Sequence, residues 1–423
     1  MSICNLEQKG FPAGFREALY FLLVFVFISE YNKNDWSVNN MARKKKRNDS
    51  TTIRYYDYSL IAILMFLVCF GLVMLYSTSA YSALTTYRDS MYYFKRQLVF
   101  CAFGFFVVYV VSRIDYHWYI KCAKLLYIVS LFLMALVQTP LGKEVNGARR
   151  WIRLPAGQQF QPAEVAKIAV ILFIAVLLCK AGKEAHSLRG IWKVLRWGGL
   201  SSACVLFLTD NLSTAVIVFG ITCIMIFVVH PKTAPFVVLL TAGMSVILIA
   251  VQVIGANLAT SDNFRLRRII VWLNPEEHAA DGAFQILQGL YAIGSGGFFG
   301  KGLGNSAQKR IIPEVQNDMI LSVICEELGV FGAIVVLTLF AMLLYRLLFI
   351  AQNAPDLYGS LVVTGIFAHI AIQVILNVAV VTNTIPNTGI TLPFVSYGGT
   401  SILFLMAEMG IALGVSRRIK FEQ

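Results

Sequence analysis

The stretch Pro313-Glu314-Val315-Gln316-Asn317-Asp318-Met319-Ile320-Leu321-Ser322-Val323-Ile324-Cys325-Glu326-Glu327-Leu328-Gly329 decides the fold of this chain. Glu314 and Asp318 stand just before an apolar run that carries Glu326 and Glu327 about two turns further in. Carboxylates at such a junction cost free energy unless they line a wet cavity, pair with cations or do chemistry. Asp318 is the leading candidate for chemistry. Its structural alternative is a helix N-cap, a position where Asp is strongly preferred. Glu326 projects within about 80° of Asp318 on a regular helix and is a candidate partner for Lys167 or an arginine.

Outward from that stretch the chain stays apolar. Of its 423 residues 57% are hydrophobic and only 14% charged, where a soluble domain carries about a quarter. Runs long enough for helices of about 20 residues recur, and the alternation of a membrane β-barrel is absent. The expectation is an all-α integral membrane protein with ten transmembrane helices. They fall at about 58–80, 97–112, 120–138, 162–179, 197–209, 213–230, 235–254, 319–350, 359–381 and 399–416. The net charge of +13 sits in short loops between apolar runs, which marks topology and membrane surface and not nucleic acid. Eight cysteines form no C-x-x-C pair and five histidines no H-E-x-x-H motif, so no disulfide framework or zinc site is expected.

Residues 1–57 read as an N-terminal cytoplasmic segment. Within it, 1–40 read as an upstream extension. The apolar run from Ala18 to Ile28 is too short to span, and Met41-Ala42-Arg43-Lys44-Lys45-Lys46-Arg47 resembles a start followed by a basic cluster. An amphipathic surface helix is the alternative. The basic Arg43–Arg47, Lys180–Arg196 and Arg417-Arg418-Lys420 segments belong in the cytoplasm. That puts both termini inside, with 58–418 as the membrane domain and 419–423 as a tail, and makes the span count even. Outside lie 139–161, 382–398 and a large extracellular loop between helices 7 and 8, 255–318, far longer than a usual connection. These segments carry Arg149, Arg150, Arg153, Arg265, Arg267, Arg268, Lys301, Lys309 and Arg310. So many external cations point to an anionic ligand. Glu276, Glu277, Asp281, Glu314 and lipid headgroups are the alternative partners.

Four blocks carry candidate chemistry. Asn146-Gly147-Ala148-Arg149-Arg150-Trp151-Ile152 leads to Phe160-Gln161-Pro162-Ala163-Glu164-Val165-Ala166-Lys167. Pro162 suits a first helical turn, Glu164 suits the positive end of the helix dipole, and Lys167 shares its face. The pair is either an ion pair pinning two helices or a cation at a cavity rim that orients a phosphate. Gly294-Ser295-Gly296-Gly297-Phe298-Phe299-Gly300-Lys301-Gly302-Leu303-Gly304 fails the phosphate-loop spacing, since position 295 is Ser and Gly302 follows Lys301. Nucleotide chemistry is not supported. Its glycines suit a tightly packed re-entrant loop. Asn387 to Ser401, including Ser396, is either a loop before the last span or a broken segment facing the same cavity. Asp210-Asn211 is a turn signal first.

In this order the blocks resemble the SEDS family, which includes FtsW, RodA and SpoVE. The match runs from about Tyr56 to Arg418 and leans to the FtsW/SpoVE branch through Asn-Gly-Ala-Arg-Arg-Trp. The resemblance implies a ten-helix glycosyltransferase of the bacterial cytoplasmic membrane. Such an enzyme polymerises lipid II into peptidoglycan with a class B penicillin-binding protein and other division proteins. By the resemblance Asp318 falls on the family's essential external Asp, and Trp151 and Lys167 on cavity-lining positions. Two departures stand out: Pro386-Asn387-Thr388-Gly389 where many FtsW proteins have Pro-Thr-Lys-Gly, and Asp210-Asn211-Leu212-Ser213-Thr214 where the family often has Pro-Asp-Leu-Gly-Thr.

The implied reaction is an inverting attack of a sugar 4-hydroxyl on an anomeric carbon bearing a pyrophosphate. A partly desolvated Asp318 would be its general base. Arg149, Arg150, Trp151, Glu164, Lys167, Lys301, Glu314, Glu326 and Ser396 are the candidate substrate-binding residues. A divalent cation, Mg or Mn, is the candidate cofactor, and no nucleotide is expected. A lipid II flippase or transporter and a division scaffold that recruits the penicillin-binding protein are the competing readings.

Overall fold

The computed structural model describes residues 53–145, 148–153, 159–231, 264–279 and 282–421, with isolated positions between 236 and 245. The expected extension 1–40 and basic cluster Arg43–Arg47 lie outside the described residues, as do most of the expected span 235–254 and the start of the long loop. In order, the helices are α1 (Tyr58–Tyr87), α2 (Tyr92–Arg113), α3 (Trp118–Leu136), α4 (Pro162–Ala181), α5 (Leu188–Leu208), α6 (Leu212–Val229), α7 (Phe264–Leu273), α8 (Phe284–Gly296), α9 (Ile320–Asn353), α10 (Leu357–Val381) and α11 (Ser401–Ser416). Eight of the described helices are long and apolar enough to cross a membrane, and α11 is a shorter apolar helix.

Local chemistry sets the ends of these helices. Asp57, Ser187, Asn211 and Asp356 cap α1, α5, α6 and α10 by accepting a first-turn N–H, and Pro162 stands in the first turn of α4. The Ser187 cap starts α5 nine residues before the expected 197, so much of the basic Lys180–Arg196 segment is a 3₁₀ turn and helix and not a loop. The long loop is likewise structured where described, since it holds α7 and α8.

Two small antiparallel sheets qualify the all-helical expectation. β2 (Gly142–Val145), β3 (Ala148–Arg153) and β4 (Gln159–Phe160) form one. β1 (Ile53–Arg54) and β5 (Lys420–Phe421) form the other and join the two ends of the helical bundle.

The centre of the bundle is α4 and α10, whose apolar windows are 67% and 72% buried, against 22% for α2, α3 and α5. The outer helices turn Phe103, Phe106, Leu125, Phe132 and Phe207 outward, as lipid-facing surface requires. Asp356, at the start of α10, accepts from Tyr116 Oη (2.6 Å) and lies 2.7 Å from His117 Nε2. Nearby, Arg418 pairs with Asp115 at 2.7 Å, so this end of α10 sits with the chain's C-terminal segment. Asn377 is 21 residues further along α10, or about 30 Å of helix. The Asp318 segment meets α10 there, at the end of the bundle away from β1 and β5.

α9 is two helices joined at Gly329, whose φ of 71° is left-handed. The glycine loop enters that break: Lys301 and Gly302 N–H donate to the Glu326 and Glu327 carbonyls at 2.9 Å. Val330 and Phe331 N–H donate to the Gly297 and Phe298 carbonyls at 3.0 Å. A Cβ on Gly329 would collide with the Phe298 carbonyl, and one on Gly300 with the Glu327 carbonyl. Only glycines allow this approach of backbone to backbone.

Candidate active site

Asp318 lies just before α9, in a turn entered through Glu314 at a left-handed φ of 49°. It does not cap the helix: the cap position is Met319 and no side chain fills it. Asp318 Oδ1 accepts from Gln285 Nε2 of α8 at 3.1 Å, and its main-chain carbonyl accepts from Asn377 Nδ2 of α10 at 2.9 Å. Burial pushes its carboxyl up to about 6, with Glu314 adding to the rise and the Gln285 hydrogen bond opposing it.

The loop between α10 and α11 closes the other side. Asn387 Nδ2 donates to Gln285 Oε1 at 3.2 Å. Arg268 Nη1 of α7 donates to the Asn387 carbonyl at 3.3 Å, and Ser213 Oγ of α6 to the Thr388 carbonyl at 2.9 Å. Arg150 of β3 donates from Nη2 to the Asp210 carbonyl at 3.1 Å, at the turn before α6. Burial and the Arg268 cation draw the Arg150 guanidinium below its ordinary range, against the pull of Asp210. Burial also lowers Arg268, and the Asp318 carboxylate opposes it. Half-buried Arg150 and exposed Arg268 thus share one region with the half-buried Asp318 carboxylate, while the Asp210 and Glu314 carboxylates stand exposed at its edge.

The other candidates divide into separate groups. Lys167 Nζ meets Glu164 Oε1 at 2.9 Å with both side chains buried, an ion pair within α4 and not a pin between two helices. Glu326 pairs with neither Lys167 nor an arginine but with Lys301 Nζ at 2.7 Å. It also accepts from the Ser306 hydroxyl and from Ala307 and Gln308 N–H. Glu327 accepts from Lys309 Nζ at 2.9 Å and Ser77 Oγ at 2.7 Å. The two carboxylates therefore anchor the glycine loop and the turn that follows it. Arg149 pairs with Glu144 across the β2–β3 hairpin at 3.3 Å, and half-buried Trp151 stands opposite Lys143 in the same ladder. Glu314 accepts from Asn317 Nδ2 at 2.9 Å, and Ser396 Oγ accepts from Leu392 N–H at 2.9 Å. Both shape their own turns.

Arg268, one of the external cations, and Asn387, of the last candidate block, join the Asp318 cluster, and so do Gln285 and Asn377, which no sequence motif marks. Gln285 and Asn377 are amides in apolar helices, each beside a second one, Gln288 in α8 and Gln373 in α10, and apolar helices seldom carry amides without partners. Among the described residues no three His, Cys, Asp or Glu side chains converge as a metal would require.

The fold and the cluster define a polytopic membrane protein with a carboxylate–arginine site at one end of its helical bundle. A family model described as a cell cycle protein, covering FtsW, RodA and SpoVE, matches residues 57–420, and the chain belongs to that family. It is 40% identical over 367 residues to stage V sporulation protein E of Bacillus subtilis (strain 168), covering 86% of this chain and 98% of that one. It is 36% identical to a probable peptidoglycan glycosyltransferase FtsW of Geobacter sp. (strain M18), covering 86% and 98%. Among solved structures it is similar to a chain from work on the coordination of polymerization and crosslinking by a peptidoglycan synthase complex (TM-score 0.69, 27% identity, covering 86% and 98%). Rod shape determining protein RodA of Thermus thermophilus matches with TM-score 0.59 and 26% identity, covering 86% and 97%.

Proposed function

We propose that this chain is a peptidoglycan glycosyltransferase that joins lipid II into glycan strands at the outer face of a bacterial cytoplasmic membrane. Its role falls in division or spore-wall synthesis, alongside a class B penicillin-binding protein. The observation that carries this reading is a partly buried carboxylate, raised to about 6, beside two guanidiniums. It occurs in a chain whose relatives are named peptidoglycan glycosyltransferases.

In the reaction, Asp318 takes the proton from the acceptor sugar's 4-hydroxyl as that oxygen bonds to the anomeric carbon of the donor. The bond from that carbon to the pyrophosphate breaks on the opposite face, inverting its configuration. Arg150 and Arg268, the guanidiniums of the Asp318 cluster, receive the leaving charge. Arg149, Trp151, Glu164 and Lys167 line the path of the headgroup, while Lys301, Glu314, Glu326 and Ser396 act through the turns they fix. No step is routed through a divalent ion. Ten spans with both ends in the cytoplasm complete the reading. Its support is the β1–β5 pair, which demands an even number of crossings where nine apolar helices are described.

The test supplies labelled lipid II to the purified chain with a cognate class B penicillin-binding protein whose transpeptidase is inactivated. Wild type makes long strands, and Asp318→Asn makes none while still binding the partner. Equal strands from both remove Asp318 from the chemistry. No strands from either, with the partner bound, move the flippase reading to the front.

A further inference from the structure

Asn377 is completely buried on the most enclosed of the spanning helices, α10, yet its side chain is polar. Its one amide nitrogen donates twice, to the Asp318 carbonyl at 2.9 Å and to the Ile390 carbonyl at 2.6 Å. A carboxamide NH₂ carries two donors, so it can bridge two carbonyl oxygens that a hydroxyl could not both serve. The reverse amide orientation would set oxygen against both. One turn inward, Gln373 Nε2 donates to the Thr391 carbonyl at 3.0 Å, touching the loop but not Asp318. One nitrogen on the rigid centre of the bundle therefore joins the Asp318 turn to the 387–391 loop by their carbonyls, beside the Gln285 side chain that links the Asp318 carboxylate to Asn387.

Resting on the function proposed above, we infer that Asn377 is a positioning residue for the reaction, holding the Asp318 turn against the 387–391 loop so that the carboxylate stays aimed and sheltered from water. The groups facing that carboxylate are neutral Gln285 of α8, cationic Arg268 of α7 and anionic Glu314 of its own turn. The 387–391 loop carries no charged side chain, and the titratable group of α10, His369, lies eight residues before Asn377 and meets Glu408 at 2.8 Å. Releasing the turn therefore changes chiefly the water around Asp318.

The test measures strand synthesis from lipid II, with the partner present, for Asn377→Leu, Asn377→Gln, Gln373→Leu and Asp318→Asn. Asn377→Leu is expected to lower kcat by about 10²-fold, the scale of an ångström-sized misplacement, with KM nearly unchanged. Its acidic limb in kcat/KM moves to lower pH as Asp318 gains water. Asn377→Gln retains the donors on a longer arm and recovers part of both. Gln373→Leu loses the loop bond alone and keeps the wild-type limb. A wild-type kcat and limb in Asn377→Leu overturns the inference, as does a limb that stays put while Gln373→Leu loses as much activity. Should Asn377→Leu fail to fold, Asn377→Gln is judged against Gln373→Leu on the same limb. Strands from Asp318→Asn would overturn the base assignment itself, a different result from either.

Discussion

At the residue scale, Asp318 couples stability to activity with opposite signs. Its folded-state carboxyl is raised from 3.8 to about 6, so its contribution to stability is fully present below the unfolded value and lost as pH rises through about 6. A base works only when ionised, so strand synthesis should fall on acidification through about 6. Two measurements check this. The kcat/KM profile should show one acidic limb near that value, and Asp318→Asn should unfold in detergent at a temperature no lower than wild type above it. Arg150→Gln and Arg268→Gln should each reduce kcat/KM by roughly 10- to 100-fold, the worth of a charge-assisted hydrogen bond of about 1.5–3 kcal/mol. A steady-state titration of lipid II reads this directly, and unchanged constants would remove the guanidiniums from the site.

At the element scale, the broken α9 explains why four acidic residues in one stretch do different work. Glu326 and Glu327 lie before the break, Glu326 turned to Lys301 of the glycine loop and Glu327 to Lys309 just beyond it. A regular helix suggested that Glu326 shares the Asp318 face, but the loop that enters at Gly329 captures it instead. Gly329→Ala should lower the melting temperature in detergent and the yield of folded protein, because its Cβ meets the Phe298 carbonyl at a left-handed φ. Glu327→Gln should cost about 3–5 kcal/mol by leaving buried Lys309 without its counter-charge. Thermal melts monitored by size exclusion separate these losses from catalytic ones.

At the scale of the whole molecule, the Asp115–Arg418 pair and the candidate site occupy opposite ends of α10. On the proposed topology, with the β1–β5 pair in the cytoplasm, Asp318 faces outward. Single cysteines at Arg54 and Lys420, in a background without native cysteines, should react with an impermeant maleimide only from the cytoplasmic side. One at Asn387 should react only from outside. Labelling of Arg54 and Lys420 from opposite sides would break the β1–β5 pairing and the even span count together.

The sequence by itself determined that this is a helical membrane protein, where most of its helices run, and that Asp318 stands at a costly junction. Those properties follow from local hydropathy, capping residues and the free energy of a carboxylate near lipid. The family resemblance was legible too, because each of its four ordered blocks is read within one segment of sequence. Only the tertiary structure decided which charges meet. Lys301 to Glu326, Lys309 to Glu327, Arg268 and Asn387 to the Asp318 cluster, and Asn377 to the Asp318 turn all join residues far apart in the chain. Periodicity carries no record of such pairings. They depend on how the helices cross and where α9 breaks, and both are set by close packing in three dimensions.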